Sequence, residues 1–234
     1  MVAIIVFLTG KSFAQDRFGF EVGIAQPFTY YYRNSGLFSP VERQISQPKP
    51  YIGINYLRKV SKHVYFGGKI YWETYSFKRD STVNTDPINL FGPTGPIYKT
   101  EVTFRSSYLF LAPQMDIGLG KHQYLHFYIM PALGLLVNGN QSTRINESGA
   151  SGVYFDSTRN TSGTIKEVIL QLNFGLVQHI PLNNMWHLTV SESLSSIPSF
   201  IPLSEKSGTN NMLLSPGGFS LQIGIMRKYH RYAK

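Results

Sequence analysis

Residues 109–135 read LFLAPQMDIGLGKHQYLHFYIMPALGL. Taken every second residue, the first half gives Leu109, Leu111, Pro113, Met115, Ile117 and Leu119, interleaved with Phe110, Ala112, Gln114, Asp116 and Gly118. After Gly120-Lys121-His122-Gln123, the second half gives Leu125, Phe127, Ile129, Pro131, Leu133 and Leu135, interleaved with His126, Tyr128, Met130, Ala132 and Gly134. Strand side chains point alternately to two faces, so each half is a strand with one apolar face and one smaller or polar face. The short Gly-containing break between them makes the pair a hairpin.

The same alternation occurs in six further places: Phe18–Ile24, Ile52–Tyr56, Phe66–Trp72, Leu170–Leu176, Trp186–Val190 and Phe219–Ile225. Eight such segments, with nothing comparable at helical spacing, give an all-β chain. A soluble sandwich or lipocalin-like barrel would turn the apolar faces inward; a membrane barrel turns them to lipid and fills its lumen with small and polar groups. The smaller face carries Glu21, Lys69, Glu73, Gln114, Asp116, His126 and Asn173, and a soluble core tolerates unpaired charges badly.

The connections point the same way. Residues 60–63, 120–123 and 181–185 are short; 31–49, 79–97, 139–164 and 195–217 are long, and the two kinds alternate strictly. Outer-membrane barrels show this arrangement, with tight periplasmic turns and long external loops. The expected fold is therefore an eight-stranded antiparallel up-and-down transmembrane β-barrel over residues 15–229, both termini periplasmic, with a short tail at 230–234. Aromatic rings suit the interfaces. Phe28, Tyr30, Tyr31 and Tyr32 would form the external girdle; Tyr65, Phe66, Tyr124, Phe127 and Trp186 the periplasmic one. The last segment runs in register to Tyr229, as a C-terminal signal for barrel assembly does. Residues 99–108 continue the alternation beyond the length a spanning strand needs, so the third and fourth strands are expected to project from the bilayer.

Residues 2–8 are apolar and end in Ser12-Phe13-Ala14 before Gln15, a signal-peptidase pattern; residues 1–14 read as a cleaved signal peptide, the other reading being a first strand. The chain has no Cys, which excludes disulfides, thiolate metal sites and a Cys nucleophile. No apolar run is long enough for a membrane helix. The Ser12-Phe13-Ala14-Gln15 site, the eight-strand pattern, the Gly-rich strands and the absence of Cys together resemble the small outer-membrane β-barrels of the Bacteroidota, the PorT-like proteins, similar in architecture to OmpX and the OmpA membrane domain. The resemblance implies fold and outer-membrane location; its members include secretion accessories and adhesin-like barrels.

The inward-facing Glu21, Lys69, Glu73, Asp116 and His126 are expected to form a lumen ion network, either a plug or an ion path. An eight-stranded lumen holds only side chains, which favours the plug. His187, Ser191 and Glu192 lie on one strand, but parity puts Glu192 opposite the other two, so they do not converge as a hydrolase requires without a bulge. Glu192 continues the apolar face of Trp186, Leu188 and Val190, where a carboxylate is costly. Either a bulge flips the strand after Val190, or that face meets a protein partner. The last long segment is unusually apolar, so it either folds over the barrel mouth or docks onto a partner, with Phe200 and Leu213 as its candidate partner contacts, beside Glu192. The formal charge is +9, and cations such as Arg33, Lys49, Lys99 and Arg144 fall in or near the long segments, where they would bind lipopolysaccharide phosphates or simply keep the loops soluble. Export and unclustered cations speak against nucleic acid. Asp80-Ser81-Thr82 and Asp156-Ser157-Thr158 resemble O-glycosylation acceptors at Ser81 and Ser157, in long loops. No metal spacing, phosphate loop or dinucleotide fingerprint is present, and no catalytic, cofactor or metal residue is assigned. The functional expectation is a non-enzymatic structural or accessory barrel with an envelope partner; an outer-leaflet lipid hydrolase and a narrow solute or ion pore are the alternatives.

Overall fold

The computed structural model describes residues 15–28, 42–84, 97–120, 123–147, 153–160, 167–196, 201–203, 212–214 and 217–230. These form twelve strands: β1 (Gln15–Phe28), β2 (Glu42–Ser46), β3 (Lys49–Lys59), β4 (Val64–Asn84), β5 (Ile97–Leu119), β6 (Leu125–Glu147), β7 (Val153–Asn160), β8 (Val168–Pro181), β9 (Trp186–Ser196), β10 (Ile201–Leu203), β11 (Met212–Leu214) and β12 (Gly217–His230). Eight of them, β1-β3-β4-β5-β6-β8-β9-β12, pair antiparallel in that order, and β12 pairs back onto β1, from Gln15 opposite His230 to Phe28 opposite Gly217. The sheet is closed, so its central strands have no free edge. No described helix is long and apolar enough to cross a membrane.

The parity read from the sequence holds around the ring. Phe20, Ile54, Ile70, Leu111, Leu133, Leu170, Ile223 and Ile225 are exposed on the outer wall, while Glu21, Asn55, Lys69, Gln114, His126, Gln171 and Gln222 are buried inside. An apolar outside around a polar inside is the reverse of a soluble barrel, and suits a surrounding with no water to satisfy polar groups. Tyr65, expected in the interfacial girdle, is instead inside and almost wholly buried. It shares the parity of Lys69 and Tyr71, and facing decides over ring amphipathicity. Phe66, Tyr124 and Trp186 do lie on the outer wall beside the short turns. Tyr30, Tyr31, Tyr32 and residues 1–14 lie outside the described residues, and Phe28 closes β1.

One end of the barrel carries the short turns. At 182–185 the Asn183 side chain organises the bend: its Oδ1 accepts from the backbone N–H of both Met185 and Trp186, at 2.9 Å each. Gln123 adopts a left-handed backbone (φ 53°) and its Nε2 donates to Lys62 O at 2.8 Å, tying the β5–β6 turn to the β3–β4 turn. At the other end the strands run on. β4, β5 and β6 are 21, 23 and 23 residues long, whereas a spanning strand needs about 9–11. At roughly 3.3 Å per residue, about half of each strand stands beyond an apolar layer. The projection expected for 99–108 is present, and larger than expected. β2 adds to β4 and β7 to β6, giving the extension the order β2-β4-β5-β6-β7. Much of 42–49, 79–84, 97 and 139–160, expected as loops, is therefore sheet. Lys78–Glu101 (2.7 Å) and Arg144–Asp156 (3.1 Å) ion pairs mark it as a solvated surface.

The β5–β6 ladder is interrupted between Leu111–Leu133 and Met115–Ile129. Pro113 and Pro131 lie in this gap, and neither can donate a ladder hydrogen bond. A shallow apolar groove on the outer wall runs over both prolines, between Leu111 and Leu172.

Candidate functional site: the packed lumen

Three layers of side chains fill the barrel. In the middle, β1 supplies Glu21, β3 Asn55, β4 Lys69 and β12 Gln222. Lys69 forms an ion pair with Glu21, both side chains almost fully buried. Asn55 Nδ2 donates to the other Glu21 oxygen at 2.7 Å, and Lys69 Nζ also donates to Gln222 Oε1 at 3.1 Å. The same Gln222 oxygen accepts from Ser191 Oγ (3.2 Å), and its Nε2 donates to Ser220 Oγ (2.7 Å), which bonds Ser193. A buried ion pair needs such additional bonds to offset the cost of removing both charges from water.

Toward the long-strand end, aromatic rings close the section. Tyr71 is stacked between Tyr51 (centroids 5.2 Å apart) and Phe110 (4.7 Å). Its hydroxyl donates to Gln171 Oε1 at 2.7 Å and accepts from Asn173 Nδ2 at 3.0 Å, joining β4 to β8 across the lumen. Gln171 Nε2 donates on to the Tyr75 hydroxyl at 3.2 Å. Gly134 is required here: a Cβ in its place would stand 2.5 Å from a Phe110 ring carbon. Glu73 belongs to this layer, buried beside Tyr75 and Gln171.

Toward the turn end, Arg17 lies over the Tyr65 ring, 3.8 Å from its centroid, and donates through Nη2 to the Tyr65 hydroxyl at 2.5 Å. Beside it are Asp116, His126 and His179, all buried, with one potential ligand atom from each lying within 4.8 Å of the others. His126 and His179 meet edge to face at 4.5 Å, and His187 lies 6.2 Å further on.

All five residues expected in the lumen are therefore inside it, but not as one ion network. Glu21 and Lys69 pair directly; Asp116 is held by Gln114 Nε2 (2.7 Å) in the histidine layer; Glu73 sits among the tyrosines. Asp116 and Glu73 lie in the two outer layers, with the Glu21–Lys69 layer between them, and each strand's stagger fixes that separation. Arg17, His179 and the tyrosine stack were not singled out from the sequence, and His187 was weighed only as part of a hydrolase set. Extending each alternation by three residues would have found Arg17 and His179.

Outside the lumen, β9 keeps its register against β8 and β12 from Trp186 to Ser196, so the bulge expected after Val190 is absent. Leu188, Val190 and Leu194 hold the outward parity, while Thr189, Ser191 and Ser193 hold the inward one. Glu192 thus stands on the outer wall, opposite Leu176 and Leu221 in the ladder. His187 and Ser191 are buried inside. Leu213 lies in β11, opposite Pro202 of β10, and Phe200 lies outside the described residues. Ser81 and Ser157, expected in loops, are on β4 and β7, opposite Thr100 and Thr143.

No protein-family profile and no curated protein matches this chain. Solved structures similar to it include the attachment invasion locus protein Ail of Yersinia pestis (9% identity, TM-score 0.38, covering 92% of this chain and 99% of that one). OprG, an outer membrane protein of Pseudomonas aeruginosa, is similar at 12% identity and TM-score 0.41, covering 93% and 96%. The outer membrane protein AlkL, solved in lipid bilayers, is similar at 12% identity and TM-score 0.43, covering 97% and 95%.

Proposed function

We propose that this chain is an outer-membrane β-barrel with a structural or accessory role, without catalytic activity, that presents its projecting sheet and one barrel face to an envelope partner. The observation that carries the reading is the inversion of the barrel: an apolar wall around a lumen filled by the Glu21–Lys69 pair and the Tyr51–Tyr71–Phe110 stack. Such a lumen leaves transport little room, so function moves to the outer surfaces. In this reading the short turns and both termini face the periplasm, residues 1–14 are the cleaved signal peptide, and the extension reaches outward among lipopolysaccharide, whose phosphates suit the cations it carries. Kinship with the PorT-like barrels of the Bacteroidota is part of the proposal and rests on Ser12-Phe13-Ala14-Gln15, the Gly-rich strands and the absence of Cys.

Glu192, flanked by Leu176 and Leu221 on the outer wall, is the proposed protein contact, together with Phe200, Leu213 and the last long segment. A carboxylate facing lipid is costly, and a partner's cation would compensate it. A lipid hydrolase using His187, Ser191 and Glu192 is disfavoured because the acid is on the opposite side of the barrel wall. Ser81 and Ser157 remain proposed glycan acceptors.

The test is a tagged pull-down from native membranes in mild detergent, read by mass spectrometry. Stoichiometric recovery of an envelope protein with wild type and its loss with Glu192→Leu supports the reading. Recovery of the barrel alone, or with lipopolysaccharide only, contradicts the partner. Stepwise single-channel conductance in a planar bilayer would contradict the filled lumen.

A further inference from the structure

We propose that Asp116, His126 and His179 form a binding site for a divalent first-row transition-metal ion at the turn end of the lumen. The three come from consecutive strands, β5, β6 and β8, and offer donor atoms within 4.8 Å of one another. Donors around one ion at about 2.1 Å stand roughly 3.4 Å apart, so modest side-chain rotations close the set. Two imidazoles and a carboxylate suit zinc, nickel, cobalt or iron, and their softness does not suit magnesium or calcium.

The second observation is that both imidazoles are buried with ring nitrogens that have no hydrogen-bond partner. His179 is 2% exposed, and neither of its ring nitrogens has a hydrogen-bond partner; the Nδ1 of His126, fully buried, has none either. Buried polar atoms are otherwise hydrogen-bonded, and an unsatisfied one is costly. A metal ion supplies what they lack. The outer partners are also in place. His126 Nε2 lies 3.0 Å from the backbone carbonyl of Gln123. A carbonyl can only accept, so Nε2 carries the proton and Nδ1 presents its lone pair. Gln114 Nε2 holds the Asp116 carboxylate at 2.7 Å. Metal-binding histidines and carboxylates are held in this way by groups behind them. Arg17 is the opposing charge, but its guanidinium is engaged by the Tyr65 ring and hydroxyl, and the Asp116 carboxylate offsets it. His187, beyond His179, has an unpartnered Nδ1 and is the candidate fourth donor. The ion would tie three consecutive strands together at the end where the chain turns.

The experiment uses the full chain without a histidine tag, refolded in detergent, its folding confirmed by heat-modifiable gel mobility. Cobalt(II) is titrated and followed by its visible d–d absorption, and copper(II) by nitrogen hyperfine structure in its electron paramagnetic resonance spectrum. The expected result is one ion per folded chain, with nitrogen coupling. His179→Leu should weaken binding by more than about 100-fold, beyond what loss of an outer partner costs, and Gln114→Leu by about 10- to 100-fold. Combined substitution of His63, His122 and His230 by Asn should leave binding intact. If His179→Leu does not fold, Asp116→Asn carries the test. Absence of stoichiometric binding by folded wild type overturns the proposal, as does binding unchanged in His179→Leu and lost in the triple variant.

Discussion

Replacing Lys69 with Met keeps the length of the side chain and removes its charge. Glu21 would then remain in the lumen with Asn55 as its bonded neighbour, its side chain about as shielded from water as that of Lys69, at 5% and 3% exposure. Breaking a buried pair by removing one partner costs about 3–5 kcal/mol, because the remaining charge is uncompensated. That is a large share of the roughly 5–15 kcal/mol that holds a domain folded. Adding Glu21→Gln to Lys69→Met removes the stranded charge at nearly constant volume, and should restore stability to within about 1–2 kcal/mol of wild type, since a neutral replacement of the whole pair is often nearly neutral. The assay is equilibrium urea unfolding from lipid vesicles, followed by fluorescence of the two tryptophans, Trp72 and Trp186, both on the outer wall. A Lys69→Met variant within about 1 kcal/mol of wild type, or a double variant no more stable than the single, would refute the pair as a desolvated contact.

Gly134→Val should destabilise by about 1–3 kcal/mol in the same assay, because its Cβ would stand 2.5 Å from the Phe110 ring and 2.9 Å from Ile169. Ile54→Arg, on the outer wall between Phe20 and Ile70, should cost about 2–4 kcal/mol if it lies near the bilayer midplane, whereas in a water-exposed sheet it would cost almost nothing. Asn183→Ala removes the acceptor of two backbone N–H groups at the β8–β9 turn and should cost about 1 kcal/mol, with unchanged gel mobility of the folded form.

The sequence carried the barrel because lipid imposes a period of two on every spanning segment; the outward residues from Phe18 to Ile225 fall where that period puts them. It carried the extension poorly. In Gly139-Asn140-Gln141-Ser142-Thr143-Arg144 neither face is apolar, and once water lies on both sides nothing enforces the contrast. Tyr65 was misplaced because a rule for aromatic residues at interfaces was applied without regard to facing. The Asp116–His126–His179 cluster has no sequence spacing to betray it. Only the ladder, with Gly118 opposite His126 and His126 opposite Val177, brings those strands' inner faces together. Glu192 was legible as an anomaly, but whether it flipped inward depended on a register that β8 and β12 jointly set.

The central claim is that the apolar wall meets lipid and the polar interior is sealed. The chain has no Cys, so single-cysteine variants along β12 can be labelled uniquely. Nitroxides placed by Leu221→Cys, Ile223→Cys and Ile225→Cys, with Ser220→Cys as the inward control, should be read in vesicles by oxygen and by a water-soluble nickel chelate. The account predicts strong oxygen relaxation and little nickel relaxation at 221, 223 and 225, and weak relaxation by both at 220. Nickel access at the three outward positions comparable to that of a free loop would contradict it.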